Sequence, residues 1–411
     1  MNARHEPVAV TGLGIVSPLG HELGPVWQRL MRGDSAISAL QVGDLPPLPA
    51  ATTAFDPAQW LTKMQLVGCD RVSQLATVAA RLAVTDAGLA PSFTDPTRVG
   101  IYLGTGMGGS GSIEAGYQAI AGGRRMPPLT VPASMTNAAA AQVALALNAQ
   151  GPVLTYAVAC ASSAVAIAEA AHALRRGDID IALAVGAEAL LVRGTLTAWQ
   201  ALRALAPLHD DVARSCRPFA PDRAGLVLGE GAACLVLERA PHAQARGRAA
   251  CAWLSGSGIS CDAHHLTQPA AAGQARAIGA ALQASGLRPS DIGYCNPHGT
   301  GTPTGDPVEC AALRAVWGPD APSLAMGSTK AAHGHLLGAA GAMEAVWTTL
   351  ALLRGEIPPT AGLAAVDAAC AGLDHVGPVG RSAPALRHAM SNSFAFGGTN
   401  VALVFSRSMD R

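Results

Sequence analysis

Thr155-Tyr156-Ala157-Val158-Ala159-Cys160-Ala161-Ser162-Ser163 passes from a short apolar strand, Thr155–Ala159, straight into a helix of small residues. That helix starts near Cys160, runs to Arg176 and is closed by Gly177. A thiol at such a junction faces unpaired helix N–H groups and the positive end of the helix dipole, and both favour the thiolate. Free cysteines are more often buried and inert. Cys160 therefore gains a chemical reading only if partners for it stand elsewhere in the chain.

Outward from this junction the same style repeats. Val8–Val10 reads as a strand running into a glycine turn, Thr11–Gly14, and Asp70–Gly88 has helical spacing. Val99–Leu103 is a strand leading into the loop Gly104–Gly111, and Ile179–Gly186 and Gly231–Glu238 are further strands. In the second half, Ala275–Gly286 and Met343–Leu353 read as helices and Ile292–Asn296 as a strand. Ser391–Phe396 reads as a turn entering the last strand, Asn400–Phe405. Alternating strands and helices predict an α/β fold with layered sheets. A chain of 411 residues exceeds what one core usually holds. Two halves, 1–245 and 246–411, are expected to meet at the connector Arg239–Arg248.

Composition narrows the function classes. Half the residues are hydrophobic and only 14% are charged, enough for a large core and a covered subunit face. A formal net charge of zero argues against a nucleic-acid binder. The nine cysteines contain no CxxC pair, as expected for free thiols in a reducing cytoplasm. Met1–Pro7 is polar and Val8–Val16 is only strand-sized, so no signal peptide is read. The Ala-rich stretch Ala157–Ala173 is broken by Ser162, Ser163 and Glu169, and no membrane span is expected.

Three further runs carry chemistry. Asn296-Pro297-His298-Gly299-Thr300-Gly301-Thr302 sets a histidine at a strand end before a Gly/Thr loop. Ser328-Thr329-Lys330-Ala331-Ala332-His333-Gly334-His335-Leu336-Leu337-Gly338-Ala339-Ala340-Gly341 places Lys330 and His335 in a small, apolar run, where burial without partners is costly. Asn392-Ser393-Phe394-Ala395-Phe396-Gly397-Gly398-Thr399-Asn400 offers glycine N–H groups to an oxyanion. Each run is weak evidence alone.

In this order the runs resemble the β-ketoacyl-acyl-carrier-protein synthases, elongating condensing enzymes of the Cys-His-His class. Val10–Gly14, Arg217-Pro218-Phe219, Arg223-Ala224-Gly225 and Gly229-Glu230-Gly231 extend the resemblance over nearly the whole chain. It implies the thiolase fold: two similar halves stacked as five α-β-α-β-α layers. It implies that Cys160 carries the acyl chain as a thioester, and that His298, His335 and Lys330 serve a malonyl thioester. The N–H groups of Cys160 and Phe396 would form the oxyanion hole. Phe396 would also gate an acyl pocket shaped by Met107, Trp199 and Thr130. Thr267, Thr300 and Thr302 would contact phosphopantetheine, and Arg124, Arg125 and Arg203 would dock an acidic acyl carrier protein. His333, Asp306 and Glu309 are read as structural, and Glu344 as a buried acid paired with Lys330.

The same resemblance implies no metal and no cofactor beyond the carrier's pantetheine arm. It implies a homodimer, or a heterodimer with a chain-length-factor-like paralogue. A thiolase is disfavoured because Asn392–Asn400 lacks a second cysteine, and a non-catalytic partner because Cys160 and both histidines are present. Housekeeping fatty-acid elongation and aryl-polyene or polyketide extension both fit. A bulky Trp199 and a small Thr130 tilt towards the specialised route. Gln65–Gly68 is uncharged where a basic cluster often stands, which leaves Lys63 and Arg71 as further docking cations.

Overall fold

A computed structural model describes residues 6–89 and 93–407; Met1–His5 of the polar opening lie outside the described residues. The first half contributes β1 (Val8–Val16), β2 (Val99–Gly104), β3 (Val153–Tyr156), β4 (Ile181–Glu188) and β5 (Gly231–Glu238). The second contributes β6 (Ala252–Cys261), β7 (Tyr294–Asn296), β8 (Ala325–Met326), β9 (His388–Phe394) and β10 (Thr399–Ser406). Their sheet orders are β3-β2-β4-β5-β1 and β8-β7-β9-β10-β6, which is 3-2-4-5-1 within each half. Parallel and antiparallel pairings also correspond one for one. An antiparallel pairing of Val8–Val10 with Ala252–Leu254 joins the two sets edge to edge.

Four long helices complete the layers: α1 (Arg71–Asp86), α2 (Ser162–Arg176), α3 (Ala271–Ser285) and α4 (Ala340–Arg354). α1 covers the outer face of the first sheet and α3 that of the second, while α2 and α4 pack on each other between the sheets. Three apolar clusters fill the three interfaces, the central one holding Ile167, Trp347 and Leu350. Truncating a side chain there, such as Ile167→Ala, costs about 2–5 kcal/mol.

The duplication extends to the bends feeding the central helices. Ala159–Ala161 and Leu337–Ala339 are each a 3₁₀ turn, followed respectively by α2 and α4. Ala159 and Leu337, at the two turn starts, both adopt φ +46°. Both helices end on a left-handed glycine, Gly177 and Gly355.

Two local expectations are corrected. Thr11–Gly14 is no turn: β1 runs through it to Val16 with an irregularity between Val10 and Gly12. Its glycines serve close approach, since a Cβ on Gly12 or Gly14 would lie 2.4 Å from Ala83 O or 2.1 Å from Ala79 O of α1. Likewise Ser391–Phe394 belongs to β9, and the bend begins only at Ala395, because every residue from Ser391 to Phe394 pairs with β10.

Candidate active site

The bend at Cys160 is tighter than a strand running into a helix. β3 stops at Tyr156, and Cys160 sits in the 3₁₀ turn, with α2 starting at Ser162. The left-handed Ala159 is a strained conformation for a residue with a Cβ. Ser162 locks it: its Oγ accepts from Val158 N at 2.9 Å and donates to Ala159 O at 2.6 Å.

His335 Nε2 lies 3.1 Å from Cys160 Sγ. The backbone N–H of Leu337 donates to His335 Nδ1 at 3.3 Å. Nδ1 is therefore the acceptor nitrogen, and the ring proton sits on Nε2, aimed at sulfur. The N–H of Phe396 also reaches the thiol. His298 meets His335 edge-on, ring centroids 5.3 Å apart. The sulfur and one nitrogen of each ring all lie within 4.8 Å of one another, a spacing a metal ion could also bridge.

Burial governs protonation. It pushes the Cys160 thiol up to about 12, against the Lys330 ammonium and the Phe396 N–H, which pull it down. The thiolate preference expected from the helix end is thus outweighed, because desolvation of sulfur is the larger effect. Burial, then Lys330, hold His298 and His335 well below the usual imidazole range, with a smaller push from His335 on His298 and from His333 on His335. Both rings are neutral N–H donors at neutral pH.

A shell of buried carboxylates shapes the surroundings. Glu309 accepts from His298 N and Gly299 N, both at 2.8 Å, and Asp306 from Thr300 N and Gly301 N, both at 3.1 Å. Together they reel in the loop that carries His298. Asp306 also accepts from Phe219 N at 2.8 Å, which ties in the Arg-Pro-Phe run. Lys330 and Glu344 form a fully buried ion pair. His333 is held by Gly334 O, Thr329 Oγ1 and the Trp347 indole, away from the thiol.

Cys160, His298 and His335 face a cleft of about 420 Å³. Thr267, Thr300, Thr302, Arg203, Trp199 and Phe396 line the same cleft. The indole of Trp199 stacks on Phe396, centroids 6.0 Å apart. Met107 and Thr130 are not brought there. Met107 lines a separate groove of about 460 Å³ with Tyr117, Glu114 and Arg193, and Thr130 is buried at the start of a short helix, bonded to Pro127 O at 2.8 Å. Arg124 and Arg125 are exposed after the helix Ser110–Ala121. Arg71, a reserve docking cation, is engaged instead: its guanidinium grips Glu230 at 2.6 and 2.8 Å.

Sequence reasoning passed over Glu188, a fully buried acid closing β4. Its signal was a lone carboxylate between Ile181–Ala187 and Ala189–Val192, two runs otherwise without charge. Asp306 and Glu309, structural acids on the sequence, gather backbone N–H groups of the His298 loop.

Among the described residues, no helix is long and apolar enough to cross a membrane. Residues 5–243 match the model of the beta-ketoacyl synthase N-terminal domain, and residues 251–364 that of its C-terminal domain. Nodulation protein E of Rhizobium meliloti (strain 1021) is 40% identical over 97% of this chain and 99% of its own. The 3-oxoacyl-[acyl-carrier-protein] synthase 2 of Coxiella burnetii is 38% identical over 98% and 99%. The ishigamide ketosynthase/chain length factor structure superposes with a TM-score of 0.90 at 33% identity, over 98% of this chain and 99% of that one. A thiol on a strained bend, two neutral imidazoles beside it and these full-length likenesses give one conclusion: the chain belongs to the beta-ketoacyl synthase family of condensing enzymes.

Proposed function

We propose that this chain is the catalytic, elongating subunit of a decarboxylating Claisen condensation in which Cys160 carries the growing acyl group. The observation behind this is the Cys160–His335 contact of 3.1 Å with its tautomer fixed by Leu337. The sulfur attacks a thioester presented by acyl carrier protein, and the pantetheine thiol leaves. The Cys160 and Phe396 N–H groups take up the developing oxyanion. Malonyl thioester then enters past Thr267, Thr300 and Thr302 and loses CO2. N–H donors on the neutral His298 and His335 rings hold the enolate oxygen without protonating the carbon, and the enolate carbon attacks the Cys160 thioester. The C–S bond to Cys160 breaks, the product leaves as a β-ketoacyl thioester, and the departing thiolate takes a proton from solvent to regenerate the thiol. Lys330, neutralised by Glu344, sets the field of the site. No metal or cofactor enters this scheme.

In this reading residues 1–245 supply the nucleophile and 246–411 supply His298, His335 and Lys330. The cytoplasm is the matching compartment. A subunit partner fits the face around β3, an open sheet edge with Val153 and Leu154 exposed. Tyr117, Ile120, Val131 and Leu145 are exposed apolar neighbours in sequence segments flanking it. A second copy or a chain-length-factor-like paralogue would also seal the groove beside Met107. The Trp199–Phe396 stack puts a bulky ring on the lining of the cleft that holds Cys160, which favours specialised polyene or polyketide extension over housekeeping elongation. Reconstituted elongation with defined acyl-carrier proteins, read by product mass, tests both the reaction and the pathway. Absence of any chain extension with every partner tried overturns the catalytic assignment.

A further inference from the structure

Glu188 is fully buried, yet no ion pair is found for it among the described residues. An ionised carboxylate is costly to bury and is tolerated only where donors compensate it. Here there are four. Oε2 accepts from Gly106 N at 2.6 Å and Gly338 N at 3.0 Å, while Oε1 accepts from Thr105 Oγ1 at 3.1 Å and Met107 N at 3.3 Å. Three donors belong to the turn after β2 and the fourth to the second half of the chain. Burial pushes Glu188 up to about 7, against these hydrogen bonds, which pull it down.

The fit leaves no slack. A Cβ on Gly338 would lie 2.3 Å from Gly106 N and 2.6 Å from Glu188 Oε2, and a Cβ on Gly106 would lie 2.8 Å from the same oxygen. Both glycines are absent side chains that let backbone N–H groups from the two halves converge on one carboxylate. Gly338 directly follows Leu337, whose N–H fixes the His335 tautomer and whose side chain packs in one cluster with Cys160. The left-handed φ of Leu337 needs an anchor on its C-terminal side, and Gly338 N on Glu188 supplies it.

From this juxtaposition we infer that Glu188 is a positioning residue for the decarboxylation half-reaction, acting on His335 through Gly338 and Leu337. The inference rests on the catalytic reading above. Cys160 itself is held by a different lock, the Ser162 hydroxyl; Glu188 bears on the thiol through its charge, which raises it and which Glu188→Asp keeps.

The test compares two variants of the full chain in separated half-reactions: Cys160 acylation by intact mass, and CO2 release from malonyl-acyl carrier protein. Glu188→Asp keeps the charge but withdraws the carboxylate by one methylene. It should slow CO2 release about 100-fold, the scale of a misplacement near 1 Å, with acylation close to wild type. Glu188→Gln should retain CO2 release within a few-fold. Its amide can face Thr105, whose hydroxyl turns to accept, and gives up only the long Met107 contact of 3.3 Å, leaving the carbonyl oxygen on Gly106 and Gly338. The ¹⁵N shift of His335 Nδ1 should change in the Asp variant and not in the Gln variant. Parallel loss of both half-reactions with Tm in either variant, or unchanged CO2 release in Glu188→Asp, overturns the inference. If Glu188→Asp does not fold, a 100-fold loss of CO2 release in a folded Glu188→Gln overturns it alone, and retained release supports it. Wild-type protein that neither acylates nor releases CO2 defeats the catalytic reading instead, so the two failures are distinguishable.

Discussion

The Trp199 indole and the Phe396 phenyl ring lie nearly parallel, 26° between planes, and both line the cleft that holds Cys160. The backbone N–H of Phe396 also lowers the thiol, so a main-chain shift at Phe396 would move ring and donor together. Trp199→Ala removes the stacking partner and opens the acyl side. The expected outcome is extension of longer or bulkier chains, measured as the product-length profile. Trp199 is only partly buried, so the stability loss, read as a fall in Tm, should be smaller than the about 3–5 kcal/mol of a fully buried tryptophan. A destabilised variant with an unchanged product profile marks Trp199 as plain core.

Cys160→Ala should abolish acyl transfer and extension while the fold survives, because the turn is held by Ser162 and not by sulfur. Intact-mass measurement after incubation with acyl-carrier protein reads this directly. An acyl adduct that persists on the alanine variant identifies another nucleophile.

His298→Ala and His335→Ala should each slow malonyl decarboxylation by about 100- to 1000-fold, the usual cost of one oxyanion donor. Acylation should persist in part, since Phe396 and the Cys160 N–H remain. Labelled CO2 release at the wild-type rate in either variant removes that histidine from the enolate site.

Carrier-protein affinity should fall with salt and with Arg124→Glu/Arg125→Glu, because a chain of zero net charge must steer an acidic partner by a local patch. Binding measured by titration calorimetry checks this. If affinity is unchanged, Arg203 at the cleft mouth becomes the leading cation; Arg71, held by Glu230, does not.

Stability should be nearly level from about pH 6.5 to 4.5 and fall steeply below. Glu188, Asp306 and Glu344 are raised by burial from 4.5, 3.8 and 4.5 to about 7. As pH drops they take up protons in the folded state first, which adds stability. Burial lowers His298 and His335 well below 6.5, and His333 to about 3. Below pH 6.5 the unfolded chain protonates these histidines and the folded one does not, which removes stability. Glu309 is raised as well, and His375 and His388 are lowered, so the opposing trends largely offset until the acids are protonated in both states. Below that, His333 alone drains ~1.4 kcal/mol per pH unit. A Tm that already drops sharply between pH 6.5 and 5 contradicts this balance.

Much of the site was legible because its chemistry is carried by short runs. Cys160, His298, Lys330 and His335 stand in runs that are weak singly and become legible through their order along the chain and the resemblance it carries. Glu188 and the loop-gathering roles of Asp306 and Glu309 were not legible, since their partners lie on other elements and a hydrogen bond to backbone leaves no mark on the partner's identity. Thr11–Gly14 and Ser391–Phe396 were misread for one reason: glycine, serine and asparagine there serve close packing inside a strand. Met107 and Thr130 were placed by family pattern alone. In the isolated chain they sit apart from the Cys160 cleft, on or near a groove that remains open.

The matched bends have a consequence for stoichiometry. Counting from Ala159 and Leu337, the position equivalent to Cys160 in the second half is Gly338. There a Cβ would collide with Gly106 N at 2.3 Å, and the space a side chain would need is taken by the Glu188 carboxylate. The twin bend is therefore closed to any nucleophile. The second half thus offers no loading position matching Cys160, and a saturating acyl-carrier-protein donor should label one equivalent per chain, on Cys160, however many subunits assemble.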